Sequence, residues 1–384
     1  MDRKSAVTGI GESAYYKYGD SPHTEFQLAC IAIMAAAEDA GIALSEIDGF
    51  ISYSDTRNGP TRLAAALGIE NLRWAATTGS GGNSVAAAMM LADAAVTAGY
   101  AENVVVFRAL CQGQFGRFGQ AGGAGGTMSG LLAFNGPYGL LTPAQQCALH
   151  TARFMHDHGI SQEALCDIAM ACYANAQNNP RALKYGKPLT REQYHASRWI
   201  VTPYHLFDCC PENDGAAAVI VSSAARAKDG PKSPAWIVGA AQGIGPQFGT
   251  YAPDNLASSF YGQVAENLWG YTGLGPTDMD VVQFYENFTG AVMIAMCDMG
   301  FAPPDGIEEF VSGGALVGAD AKLPFNTSGG NLAEAYIHGM QMVNESVRQI
   351  RGESTCQVSN VEHALMVGGP GYAPGSAIVF GAST

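Results

Sequence analysis

Short β-branched apolar runs alternate along the chain with longer stretches rich in alanine and methionine. The runs predict strands at Ala6–Ile10, Gly49–Tyr53, Val104–Ala109 and Ala217–Ser222. They predict a second set at Ala235–Ala241, Val281–Tyr285, Ala364–Val367 and Ala377–Phe380. Runs this short, apolar at consecutive positions, fit sheets covered by helices on both faces. A helix is expected from Thr24 to Ala40, entered through Ser21-Pro22 and closed by Gly41. Between the first-half strands lies an insertion of about residues 111–200. It opens on the glycine-rich run Gly119–Gly130, read as a mobile or ligand-lining loop, and continues with helices Pro143–His158 and Gln162–Ala176.

The pattern occurs twice. Gly41 to Asp48 precedes the strand at Phe50-Ile51, and Gly273 to Asp280 precedes Val281 to Phe284. In each, Gly closes a helix, Ser or Thr starts a turn and an Asp precedes the strand. Ser80-Gly81-Gly82-Asn83 opens a helix ending near Gly99, and Ser328-Gly329-Gly330-Asn331 opens one expected to run to Gly352. A strand follows each. Two matches in the same order favour duplication. The expectation is an α/β protein of two βαβαβ halves, residues 1–230 and 231–384, with the insertion in the first.

Composition narrows the function. The chain has 384 residues, 47% hydrophobic, with formal net charge -14. No long basic run marks a nucleic-acid or anionic-membrane surface. No apolar stretch reaches the roughly 18 residues of a membrane span. No secretory leader is read at the start, and none of the nine cysteines forms a Cys-x-x-Cys pair. The expectation is a reduced cytoplasm, with no metal site.

Several segments carry a resemblance. Tyr185 to Thr190, Ser197 to Ile200 and Leu206 to Ala216 are similar to the sterol-carrier-protein thiolases and their lipid-transfer relatives, within the thiolase superfamily. So are Asn326 to Gly330 and Glu334 to Met340. Among these, the chain most resembles the steroid side-chain-cleaving aldolases. The resemblance spans nearly the whole chain and implies a five-layer αβαβα thiolase fold with a helical loop domain inserted in the first half.

The residues that do thiolase chemistry are replaced. Counting back from Gly99 without gaps puts Gly82 where a thiolase holds its nucleophilic cysteine, and no cysteine lies between Cys30 and Cys111. Ser84 reads first as a helix cap and second as a substitute nucleophile. Tyr336 stands at the position of the Gly-His-Pro histidine. His338 is expected to point elsewhere, because i and i+2 share no helix face. Met366 stands at the second cysteine, and Tyr285 at the Asn of the Asn-Glu-Ala-Phe segment, here Tyr285-Glu286-Asn287-Phe288.

The resemblance implies a retro-aldol lyase acting on a branched β-hydroxyacyl-CoA, releasing a ketone or aldehyde and a short acyl-CoA. Tyr285 and Tyr336 are the implied acid–base pair. Gly82, Asn326, Gly329, Gly330, His338, Gly368 and Gly369 are the candidates for oxyanion or substrate binding. Coenzyme A enters as part of the substrate, and no covalent cofactor is expected. Glu334 and His338 are supporting candidates. Asp208, Cys209, Cys210, Glu212 and Asp214 read as residues holding the insertion in place. A divergent thiolase or acyltransferase and a non-catalytic acyl-CoA or lipid-binding subunit are the alternatives. A homodimer is expected, with its contact at Val104–Val106 and the Gly99 helix. The resemblance also implies a separate zinc-ribbon/OB-fold partner.

Overall fold

The computed structural model describes residues 4–53, 57–79, 81–115, 131–244, 257–369, 371 and 374–383. Ser80, the Gly119–Gly130 run and Pro370 lie outside the described residues. Among the described residues, twelve strands run in chain order. They are β1 Ser5–Glu12, β2 Tyr16–Lys17, β3 Gly49–Tyr53, β4 Trp74–Thr78, β5 Asn103–Cys111 and β6 Trp199–Val201. The second six are β7 Tyr204–His205, β8 Asn213–Ser223, β9 Ala235–Gly243, β10 Val281–Phe284, β11 His363–Val367 and β12 Gly375–Gly381.

The duplication is visible in the strand order. From one edge the order is β4, β3, β5, β8, β1; from the other it is β10, β11, β12, β9. In the first set β4–β3 and β3–β5 are parallel, while β5–β8 and β8–β1 are antiparallel. In the second, β10–β11 is parallel, and β11–β12 and β12–β9 are antiparallel. The counterpart of β4 is a single parallel bridge from Val282 to Phe325. The two sets meet where Ala6 and Val7 pair with Trp236 and Ala235.

Alternation along the strands sorts side chains into layers, as a period of two requires. In β8, Ala216, Ala218 and Ile220 pack outward on the helix Glu25–Ala40, while Ala217, Val219 and Val221 face inward. In β11 and β12, Ala364, Met366, Ile378 and Phe380 face the same inner layer, and Leu365, Val367, Ala377 and Val379 face the opposite side. The inner layer holds the helices Val85–Thr97 and Met340–Arg351. This is the expected stack of helix, sheet, helix pair, sheet and helix.

The helix Glu25–Ala40 starts at Thr24, whose side chain caps Gln27 N–H, and ends at Gly41 with φ 67°. Helices Pro143–His158 and Gln162–Asn175 form in the insertion. Buried Asp208 pins this region: it accepts from Thr289 Oγ1 at 2.6 Å, from Tyr194 Oη at 2.8 Å and from His205 N at 2.6 Å. Asp214 binds the N–H groups of Gly19 and Gly113.

Two expectations are corrected. First, β5 is buried along its whole length between β3 and β8, so Val104–Val106 cannot reach another subunit. Second, the segment from Gly329 to Gly352 is not one helix. A short helix, Gly330–Ala333, stops, and Met340–Arg351 begins anew. His338 at φ 50° and Gly339 at φ 84° adopt left-handed backbone in the gap. Gln341 Nε2 bridges the gap by donating to Asn331 Oδ1 and Ala335 O, each at 2.7 Å. Among the described residues, no helix is long and apolar enough to cross a membrane, and no disulfide joins any of the cysteines.

Candidate active site: a tyrosine pair on a glycine wall

Tyr285 follows the last residue of β10 and is 2% exposed. Its N–H donates to Val367 O at 3.0 Å, which continues the β10–β11 ladder by one residue. Its ring stands in a socket of glycines. A Cβ at Gly82 would lie 2.5 Å from Tyr285 Oη. One at Gly339 would lie 2.8 Å from the ring, and one at Gly369 3.2 Å. Distances under 3 Å leave no room for any side chain, cysteine included. The space that a side chain at position 82 would need is therefore occupied by the ring of Tyr285.

Tyr285 Oη donates to Tyr336 Oη at 3.0 Å, with ring centroids 6.0 Å apart. Tyr336 is half-buried and sits in the break between the two short helices. Its N–H donates to Asn213 Oδ1 at 2.6 Å. Because the segment is not helical, Tyr336 and His338 do share a face. Their rings meet edge to face at 5.2 Å, which overturns the helix-based expectation. His338 is held at both ends: Tyr53 Oη donates to its carbonyl at 3.0 Å, and Arg108 Nε donates to its Nδ1 at 3.0 Å.

Burial pushes both tyrosines upward from the usual phenol value, and burial is the largest influence on each. They differ in what opposes it. For Tyr336, the hydrogen bond received from Tyr285 and the Arg108 charge act downward. For Tyr285, the hydrogen bond it gives raises it further. Within the pair, Tyr336 is the hydrogen-bond acceptor and Tyr285 the donor. Burial and the Arg108 charge keep the His338 ring well below its ordinary value, hence neutral.

A match to the family described as Thiolase C-terminal domain-like covers residues 251–380. The chain is 37% identical over 389 residues to a 17-hydroxy-3-oxo-4-pregnene-20-carboxyl-CoA lyase of Mycobacterium tuberculosis, covering 99% of this chain and all of that one. It is also 37% identical to a steroid side-chain-cleaving aldolase of Thermomonospora curvata, covering 98% of each. The chain belongs to the steroid side-chain-cleaving aldolases of the thiolase superfamily. A solved structure described as Ltp2-ChsH2(DUF35) aldolase superposes with a TM-score of 0.91 at 35% identity, covering 99% of this chain and 98% of that one.

The other candidates divide in this aldolase. Asn326 bonds both backbone groups of Phe284, accepting from N and donating to O at 2.9 Å. Gly330 is glycine because a Cβ would lie 2.6 Å from Glu286 Cδ, and Gly329 because one would lie 2.7 Å from Ala176 Cβ. Asn326 and Gly330 thus back the Tyr285 segment, and Gly329 packs on the insertion. The N–H of Gly368 donates to Ser376 O at 2.8 Å, and that of Gly369 to Gly82 O at 3.1 Å. Both are already paired within the fold, so neither is placed as an oxyanion donor. Ser84 stands at the N-cap position of the helix Val85–Thr97 but makes no side-chain cap bond: its Oγ donates to Gly79 O at 2.7 Å and it is 1% exposed. Met366 is buried, its methyl end toward Gly339.

Two carboxylates lie behind the pair. Burial pushes Glu286 up to about 8 and Glu334 up to about 7. Glu334 accepts from Ser328 Oγ at 2.6 Å and Asn179 Nδ2 at 2.7 Å, and so ties the helix break to the insertion. Among the described residues, one group, Glu163, Cys166 and His195, has metal-ligand spacing. Arg191 ion-pairs with Glu163 and with neighbouring Asp167, so positive charge already fills it.

The sequence reading missed Arg108, Tyr53, Asn213 and Gly339. Arg108 alone had a legible signal: it is the one charged residue in the apolar run Val104 to Cys111.

The glycine socket makes a quantitative prediction. Gly82→Ala overpacks the Tyr285 ring and should cost about 1–3 kcal/mol of stability by denaturant unfolding. Gly82→Ala combined with Tyr285→Ala should cost less than the sum of the two single changes, by about 0.5–3 kcal/mol. Strict additivity would place the ring elsewhere.

Proposed function

We propose that this chain cleaves a 17-hydroxy steroid acyl-CoA by retro-aldol chemistry, with Tyr336 as base and Tyr285 as its proton partner. The observation that carries the reading is the Tyr285–Tyr336 hydroxyl bond, formed where Gly82 leaves no nucleophile. The name of the Mycobacterium tuberculosis relative describes a suitable substrate. A hydroxyl on carbon 17 and an acyl-CoA carboxyl on carbon 20 make a β-hydroxyacyl thioester, which has no β-ketone for a thiol to attack.

The step balances without redox change. Tyrosinate at Tyr336 takes the hydroxyl proton. The O–H electrons form the ketone, the carbon–carbon bond breaks, and its electrons enter the thioester as an enolate. The tyrosine pair then holds both hydroxyl protons, and one returns to the enolate carbon. Gly82 and His338 flank this centre as binding candidates.

Tyr336→Phe and Tyr285→Phe should each lower kcat by about 10²–10⁴-fold with the fold intact. Wild-type kcat/KM should rise about tenfold per pH unit up to and beyond about pH 10, the ordinary tyrosine value, because the base must ionise and burial holds it above that value. If both variants turned over at the wild-type rate, the pair would not be the acid and base.

Two assemblies belong to the same reading. The similar solved structure couples Ltp2 to ChsH2(DUF35), which supports a separately encoded zinc-ribbon/OB-fold partner here. The net charge of -14 favours a basic contact face on it. A homodimer fits β4 rather than β5. β4 pairs with β3 on one side, and its residues alternate between half-buried and exposed. Light scattering at micromolar concentration should give a dimer alone and a larger complex with the partner. A monomer that stays fully active without any partner would contradict both.

A further inference from the structure

We propose that Arg108 is a positioning residue of the reaction. Its guanidinium, inside the fold on β5, fixes the His338 ring against Tyr336 and supplies the positive charge that favours the Tyr336 tyrosinate. The inference rests on the reading of Tyr336 as base.

Strand geometry puts Arg108 there. Alternate residues of β5 share a face, and Val104 and Val106 point into the inner layer that also holds Tyr53 and Tyr285. Arg108 is next on that face. It is 1% exposed and heads the fully buried side chains by volume. Taking a guanidinium out of water is costly unless it is paired, so its position on an apolar strand calls for a use.

Its contact with His338 fixes a chemical state. A guanidinium stays protonated and only donates. The 3.0 Å bond from Arg108 Nε to His338 Nδ1 therefore requires a lone pair on Nδ1, which makes the ring neutral with its proton on Nε2. The ring is thus oriented by a cation at one edge and meets Tyr336 edge to face at 5.2 Å. The hydrogen bond from Tyr53 Oη to the His338 carbonyl holds the left-handed backbone that this orientation needs.

The groups that face Tyr336 come from every side. Tyr285 donates from the end of β10. Arg108 lies on β5, and Tyr53 on β3 adjoins both Arg108 and Tyr336. Cys210 and Glu212 approach from the segment before β8, and His338 from its own turn. Burial opposes ionisation of Tyr336 most, and Cys210 and Glu212 act in the same direction. Arg108 is the cation in this set, so its removal leaves the tyrosinate with no positive charge of the set to offset burial.

The test is the pH profile of kcat/KM for Arg108→Gln and Arg108→Lys, measured with the partner-bound enzyme on a 17-hydroxy steroid acyl-CoA. Tyr336→Phe is the control. Loss of the charge should move the limb for Tyr336 ionisation upward by about one pH unit. kcat/KM near neutrality should fall about tenfold, as the ionised fraction of a weak acid dictates. Arg108→Lys keeps a charge and should hold the limb in place, with kcat reduced because the Nε contact to His338 is gone.

Tyrosinate absorbance, taken as wild type minus Tyr336→Phe and as Arg108→Gln minus the double variant, should show the same shift directly. An equal loss at every pH with an unmoved limb would reduce Arg108 to a structural residue and overturn the proposal. If Arg108→Gln does not fold, Arg108→Lys decides: wild-type kcat in that variant would overturn the positioning role. An unimpaired Tyr336→Phe would instead overturn the base assignment. An inactive Tyr336→Phe with an unshifted Arg108→Gln would overturn this inference alone.

Discussion

The site depends on an exclusion: the Tyr285 ring and a side chain at position 82 cannot occupy the same space. Gly82, Gly339 and Gly369 form the wall against which the ring lies. Each comes from a different segment, and two of those segments are also bound to each other through Gly369 N and Gly82 O. The socket rigidly sets the direction of the Tyr285 hydroxyl. Because that hydroxyl donates to Tyr336, the socket also fixes the contact within the pair. A side chain at position 82 and the Tyr285 ring are mutually exclusive.

The second constraint is the interrupted helix. A continuous helix through residues 330–351 would set Tyr336 and His338 on different faces. The left-handed turn at His338 and Gly339 brings both rings to one place. Buried polar groups secure the break. Gln341 satisfies its exposed carbonyl, Asn213 accepts the Tyr336 N–H, and Glu334 links it to Ser328 and Asn179.

Much of this was legible in the sequence. Strands β1, β3, β5 and β8 to β12 follow from apolar runs whose neighbours alternate between layers, and the duplicated turns anticipate the repeated strand order. Tyr285 and Tyr336 stood out through the resemblance, which sets them where thiolases hold an Asn and a His. β4 was missed because Trp74-Ala75-Ala76-Thr77-Thr78 lies half-exposed at an edge and lacks a continuous apolar run. The helix break was missed because Glu334-Ala335-Tyr336-Ile337-His338 contains no proline. Its one glycine signal, Gly339, also suits a helix interior at modest cost. Arg108 and Tyr53 act through contacts with residue 338, more than two hundred positions away, which local pattern cannot reveal. The paired state of Gly368 and Gly369 is likewise a property of the folded ladder.

The central claim is that proton transfer, not acyl transfer, breaks the carbon–carbon bond. Deuterium content at the α-carbon of the acyl-CoA product, formed in heavy water, tests it most directly. An enolate protonated from the exchanged tyrosine pair should leave a single deuterium per molecule of acyl-CoA, with no acyl group on the protein. Product free of deuterium, or an acylated protein intermediate, would contradict the account.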